Sequence, residues 1–80
     1  MNEDDVDYSF ERLLRALQSE KEDLIGALAC DLFIANGEPN KVEIDAFEKY
    51  ARCKIENRWI ESARQFVGII YYEGKKYYYG

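Results

Sequence analysis

The residues of this chain that could do chemistry are its carboxylates and its two cysteines. Sixteen Asp and Glu residues are spread over 80 positions, and the chain has no histidine. Two carboxylates can carry glycosidase chemistry, but at this density some pairs lie close together by chance. The missing histidine removes the most common general base, proton shuttle and metal ligand. We therefore expect the carboxylates to form a solvated acidic surface, and the protein not to be an enzyme.

Metal and cofactor motifs are not evident in the sequence. Cys30 and Cys53 cannot complete a four-ligand zinc site without histidine. The sequence has neither a glycine-rich phosphate loop nor a nucleophile elbow. The segment that begins at Asp31 places Phe33 and Ala35 where a calcium loop requires oxygen ligands. We expect no cofactor and no metal, and we expect both cysteines to be reduced, buried thiols of a cytoplasmic protein.

Length and composition predict one folded domain over residues 1–80. The chain is 48% hydrophobic and 15% aromatic, which is too apolar for a disordered segment. No run approaches the roughly 20 apolar residues that cross a bilayer. The acidic start is also the opposite of a secretory leader. We therefore expect a cytoplasmic protein that does not act at a membrane.

The net charge of −5 is unevenly distributed along the chain. Residues 1–40 hold ten acidic residues against three basic ones, whereas residues 41–80 hold six against eight. The acidic half repels nucleic acid. Its carboxylates either keep the protein soluble and stabilise helix N-termini, or form a surface that docks on a protein partner with a basic surface. The candidate partner-binding residues in this half are Asp4, Asp5, Asp7 and Glu11.

Apolar spacing predicts two helices in the first half. Val6, Phe10, Leu13, Leu14 and Leu17 lie on one helical face, which predicts a helix over about 6–18. A second helix is expected over about 20–36. Ser19 has the position of its capping residue, and Asn36 and Gly37 are expected to end it.

A third helix is predicted over about 41–67, after a capping residue at Asn40. Its apolar residues recur at intervals of three or four. Because this length is unusual for a globular protein, a break near Asn57, giving four helices, is the alternative. Trp59 continues the apolar stripe and is therefore expected in the core.

One segment resembles a known family. Ala35-Asn36-Gly37-Glu38, preceded by an apolar helix and followed by Glu43, is similar to the helix–turn–helix core of TerB-like domains over residues 24–47. That family is all-helical and is associated with stress response and proposed metal sensing. Asn36 replaces the family's Asp and Pro39 interrupts the turn. From the resemblance we take only a helical hairpin.

The C-terminal segment differs in character. β-Branched and aromatic residues surround a Glu-Gly turn, which predicts a two-stranded hairpin over about 67–79. Alternation sends some of its tyrosines inward and at least two outward. Five tyrosines in the nine residues 71–79 exceed what a small core needs, so we expect an interface. The alternative is a hairpin that only covers the third helix and places these tyrosines in the core. Its candidate contact residues are Tyr72, Lys75, Lys76, Tyr77 and Tyr78.

Together these patterns predict a mainly α fold with three or four helices and a C-terminal β-hairpin. The predicted function is a non-catalytic protein-binding module. It would act as an inhibitor or adaptor on a nucleic-acid-handling complex, by analogy with anti-CRISPR and anti-restriction proteins of phages and mobile elements. A homodimer would also use exposed tyrosines.

Two other functions remain as alternatives. One is a winged-helix regulator that reads nucleic acid with residues 41–54 and uses the hairpin as its wing. The mixed charge of that segment argues against it. The second is an accessory subunit of an enzyme complex.

Overall fold

The chain folds into three α-helices and two antiparallel sheets. The computed structural model describes the backbone of residues 3–80 and the side chains of residues 9–80. The elements in chain order are α1 (Glu3–Gln18), α2 (Glu22–Phe33), β1 (Ile34–Ala35), β2 (Glu38–Pro39), α3 (Lys41–Ala51), β3 (Lys54–Ile60), β4 (Gln65–Tyr72) and β5 (Lys75–Tyr79). The prediction of a mainly α fold is therefore wrong, and the fold is mixed α/β.

The predicted helix over 41–67 is the main error. The helix α3 ends at Ala51, where Arg52 adopts a left-handed conformation with a φ of 54° and donates its N–H to the Glu48 carbonyl. A residue in this conformation stops a helix. The remaining residues of the predicted helix form β3, a turn and the start of β4.

The apolar spacing of this segment fits a strand as well as a helix. Residues four positions apart share one face in either element, because the side-chain period is two in a strand and 3.6 in a helix. Ile55 and Trp59 are such a pair, and both lie in β3. Asn57 lies at the centre of this strand, so the alternative of a helix break there is also wrong.

The first two helices differ from their predicted boundaries. α1 covers the predicted 6–18 and begins earlier, at Glu3. The N-cap residue of α2 is Lys21 rather than Ser19, and it makes no side-chain capping hydrogen bond. Helix α2 therefore begins two residues later than predicted.

The segment after α2 forms a small hairpin. Helix α2 ends at Phe33, and β1 pairs with β2 so that Ile34 lies opposite Pro39. The residues between them, Asn36 and Gly37, have φ values of 55° and 78°. Positive φ at two central residues is typical of a type I′ hairpin turn. An Asn-Gly pair thus signals a hairpin here rather than a helix end.

The larger sheet has the strand order β3-β4-β5, with both pairs antiparallel. The strands β4 and β5 form a hairpin over residues 65–79, close to the predicted 67–79, and β3 adds a third strand. We call the face that contains Ile55, Ile70 and Tyr77 the inner face, because these residues belong to the core. The opposite, outer face carries Lys54, Glu56, Arg58, Val67, Ile69, Tyr71, Lys76 and Tyr78.

A line of buried aromatic rings connects the helices to the sheet. Phe47 of α3 packs on Phe10 of α1 and on Phe33 of α2, with ring centroids 5.3 Å and 5.4 Å apart. Phe33 in turn packs on Tyr79 of β5, with centroids 5.7 Å apart. Each such pair contributes about 0.5–1.5 kcal/mol beyond the area that it buries. These contacts hold the inner face against all three helices.

Candidate functional site

The tyrosines of the C-terminal hairpin divide between the two faces of the sheet. Tyr72 and Tyr77 are only 8% and 5% exposed and belong to the core. Tyr78 is 61% exposed, and Tyr71 on the same outer face is half-buried. Tyr72 and Tyr77 were predicted as contact residues, but strand alternation turns both inward. Of the predicted tyrosine contacts, only Tyr78 lies at the surface.

The two lysines of the hairpin are exposed and have partners within the chain. Lys75 forms an ion pair with Glu20, in the loop between α1 and α2. The Nζ of Lys76 lies 5.8 Å from the centroid of the Tyr71 ring, in cation–π range. Exposed pairs of this kind contribute about 0.2–1 kcal/mol, so a binding partner could replace them at little cost.

A groove of about 420 Å³ runs between α2 and β5. We call it the α2–β5 groove. Its lining includes Glu22, Asp23, Gly26 and Ala27 of α2, with Val67 and Tyr78 of the sheet. A Cβ added at Gly26 would lie 3.7 Å from the backbone carbonyl oxygen of Tyr78. The helix therefore runs directly along the edge of β5.

The groove combines negative charge with an aromatic side chain. Glu22 and Asp23 are exposed in the first turn of α2, where carboxylates stabilise the helix dipole. Neither carboxylate forms an ion pair with another residue of the described part of the chain. Carboxylates and the face of a tyrosine ring are both groups that bind Lys and Arg side chains. The groove is thus suited to a cationic side chain.

Of the acidic residues that the sequence singled out, only Glu11 has a described side chain. Asp4, Asp5 and Asp7 lie outside the described side chains. Glu11 is on α1, where its Oε1 accepts a hydrogen bond of 2.6 Å from Arg15, and it does not line the groove. The sequence places Glu22 and Asp23 in the acidic half but does not identify them as candidate binding residues. Their signal was a pair of acids at a helix start, but the sequence does not reveal which strand that start approaches.

The outer face of the sheet is a second candidate surface. Lys54, Arg58 and Lys76 share it with Tyr71 and Tyr78. Glu56 lies among them: Arg58 Nη2 donates to its Oε2 at 3.2 Å, and the Tyr71 hydroxyl donates to the same oxygen at 3.4 Å. This face therefore carries both basic side chains and aromatic rings.

Trp59, predicted to be buried, is 50% exposed at the end of β3. Its ring packs on Phe66 with centroids 5.0 Å apart, and its indole N–H donates to Glu61 Oε2 at 2.7 Å. The core includes Ile55 of β3 but not Trp59, which lies opposite Phe66 next to the turn that joins β3 to β4. The predicted core position of Trp59 is therefore wrong.

Both cysteines are free thiols, and each is half-buried rather than buried. Burial, with the nearby Glu48 carboxylate, raises the pKa of Cys53 to about 11. Cys53 is therefore a neutral thiol at pH 7 and not an activated nucleophile.

The described residues hold neither a metal-ligand cluster nor a membrane-spanning helix. No cluster of three His, Cys, Asp or Glu side chains there is arranged to hold a metal ion. No helix in the same part of the chain is long and apolar enough to cross a membrane. Comparison with protein families, curated proteins and solved structures finds no match for the chain.

Proposed function

We propose that the protein is a non-catalytic binding module that holds a Lys- or Arg-bearing segment of a partner protein in the α2–β5 groove. The observation that supports this is the placement of Glu22 and Asp23 in one groove with the exposed Tyr78. Carboxylates and an aromatic ring together provide an ion pair and a cation–π contact for the same side chain.

The rest of the chain favours the same kind of partner. A net charge of −5 attracts basic proteins and speeds their association, with an effect that falls as salt rises. Proteins that handle nucleic acid present Lys and Arg to phosphates. An acidic module can occupy such a surface in place of the nucleic acid. We therefore place the protein in the cytoplasm as an inhibitor or adaptor of a nucleic-acid-handling complex.

A pull-down from nuclease-treated host lysate tests this proposal. The groove variant Glu22→Lys/Asp23→Lys changes two lining residues that are exposed and outside the core. The control Glu38→Lys/Asp45→Lys makes the same change of charge at exposed residues outside the groove. We expect a basic protein to be retained by the wild type and the control and lost by the groove variant. Equal loss in both variants would show that net charge, not the groove, drives binding.

The outer face of the sheet supports a second candidate function, binding of single-stranded nucleic acid. Tyr71 and Tyr78 could stack on bases while Lys54 and Lys76 contact phosphates, since all four lie on one face. Tyr78 belongs to both candidate surfaces, so its removal does not separate the two functions.

The variant Lys54→Glu/Lys76→Glu does separate them. If the chain binds nucleic acid, this variant should lose a salt-sensitive affinity for oligonucleotides that Glu22→Lys/Asp23→Lys retains or increases. If the α2–β5 groove is the functional site, the wild type should show no such affinity.

A further inference from the structure

The two edges of the three-stranded sheet differ. Helix α2 runs along the edge of β5, next to the Tyr78 carbonyl. At the other edge, the Ile55 N–H donates to Glu48 Oε2 at 2.8 Å and therefore points away from β4. Because backbone groups alternate in an antiparallel pair, those of Asn57 and Trp59 also point away from β4. In the described structure these groups have no backbone partner, so β3 is an open edge.

The charge pattern of β3 is complementary to itself. If two copies of β3 pair antiparallel about Asn57, Glu56 of each copy lies opposite Arg58 of the other. Moving the centre of the pairing by one residue places either Glu56 against Glu56 or Arg58 against Arg58. Opposite charges stabilise a cross-strand pair and like charges destabilise it. The sequence of β3 thus favours one register.

We propose that β3 pairs with β3 of a second copy of this chain, giving a homodimer with one continuous sheet. The two Asn57 residues exchange backbone hydrogen bonds at the two-fold axis. The half-exposed Trp59 of each copy then lies opposite Ile55 of the other on the inner face, where it loses contact with water. Glu48 already accepts the Ile55 N–H, so Ile55 contributes only its carbonyl oxygen to the pairing.

This dimer is independent of the proposed function. The α2–β5 groove lies at the opposite edge of the sheet and stays open in both copies. The dimer would present two grooves, so a partner with two basic segments would bind more tightly than one with a single segment.

Sedimentation equilibrium over a wide range of protein concentration tests the dimer. We expect a mass that rises from that of the 9.4 kDa chain to twice that value. Asn57→Pro removes the N–H at the two-fold axis, which an edge strand tolerates, and should leave a folded monomer. Asn57→Ala is the matched control, because it removes the side chain but keeps the N–H, and it should still dimerise.

A charge exchange tests the register without altering the backbone. Arg58→Glu puts like charges opposite each other in two symmetry-related pairs, and should weaken the dimer about tenfold or more. Glu56→Arg combined with Arg58→Glu restores opposite charges and should restore the dimer. A wild-type chain that is monomeric at every concentration would overturn the proposal. So would a dimer that is unaffected by Asn57→Pro and by Arg58→Glu.

Discussion

The hydroxyl of Tyr79 on β5 donates a hydrogen bond of 3.1 Å to Asn57 Oδ1 on β3, across the intervening strand β4. In the register of the sheet, Gly68 lies between them, paired with Asn57 on one side and with Tyr79 on the other. A Cβ at Gly68 would overlap the Tyr79 ring. The missing side chain thus lets the ring cross β4 and join the two edge strands.

Gly68→Ala should therefore destabilise the protein. The methyl group has to displace a ring that is buried against Phe33, and overpacking of this kind costs about 1–3 kcal/mol. Gly26→Ala is the control, since its Cβ would meet no atom closer than 3.7 Å and Ala favours the helix by about 0.5–1 kcal/mol. Urea unfolding of both variants measures the difference. If Gly68→Ala is as stable as Gly26→Ala, the ring does not cross β4 as described.

The hydrogen bond itself can be measured by a double-mutant cycle. Tyr79→Phe and Asn57→Ala each remove one partner, and each should lower the free energy of unfolding by about 0.5–1.5 kcal/mol. The double variant should lose less than the sum of the two single losses, because the interaction is already absent after either change. The measurement belongs at low protein concentration, where dimerisation does not contribute. Strictly additive losses would show that the two side chains do not interact.

The Glu48 side chain should stabilise the fold through its hydrogen bond to the open edge of β3. Its carboxylate accepts the Ile55 N–H, and Glu48→Ala leaves that partly buried donor without its partner, at a cost of about 1–3 kcal/mol. Glu48→Gln keeps an acceptor oxygen and should cost less. The exposed Asp45→Ala on the same helix is the control and should change stability little. Equal thermal stability of Glu48→Ala and Asp45→Ala would contradict this role.

The free energy of unfolding should fall as the pH rises above about 9. Burial raises the pKa of Cys53 from 9.0 to about 11, so between these values the unfolded chain has lost a proton that the folded chain keeps. Unfolding then becomes easier as pH rises, because the unfolded state binds fewer protons. Burial also raises the pKa of Tyr79 above 10.0, which extends the decline to higher pH. Cys53→Ser should flatten the fall between about pH 9 and 11, measured by urea unfolding at successive pH values; an unchanged slope would contradict the assignment.

The secondary-structure elements that could be predicted are those indicated by residues close together in the sequence. Helix α1 and the Glu73–Gly74 turn between β4 and β5 could be read from apolar spacing and turn residues. The strand β3 could not, because Ile55 and Trp59 are spaced as they would be on a helix. The Asn36–Gly37 pair was ambiguous for a similar reason, since it ends helices and also forms hairpin turns.

The candidate groove was harder to predict than the fold. The tyrosine cluster correctly indicates that Tyr78 is exposed. It does not indicate that Tyr72 and Tyr77 are buried, because the packing of the helices decides which face of the sheet is covered. Glu22 and Asp23 line the same groove as Tyr78 only because α2 runs along β5. This arrangement brings together residues more than fifty positions apart, and no local pattern predicts it.

Site-specific photo-crosslinking tests the central claim, that the α2–β5 groove is the binding surface, most directly. A photoreactive residue replaces either Ala27, which is exposed and lines the groove, or Val42, which is 77% exposed on α3 outside it. After irradiation in host cells, we predict that position 27 crosslinks to one basic protein and that position 42 does not. Crosslinks to that protein from position 42 alone, or to nucleic acid alone, would contradict the claim.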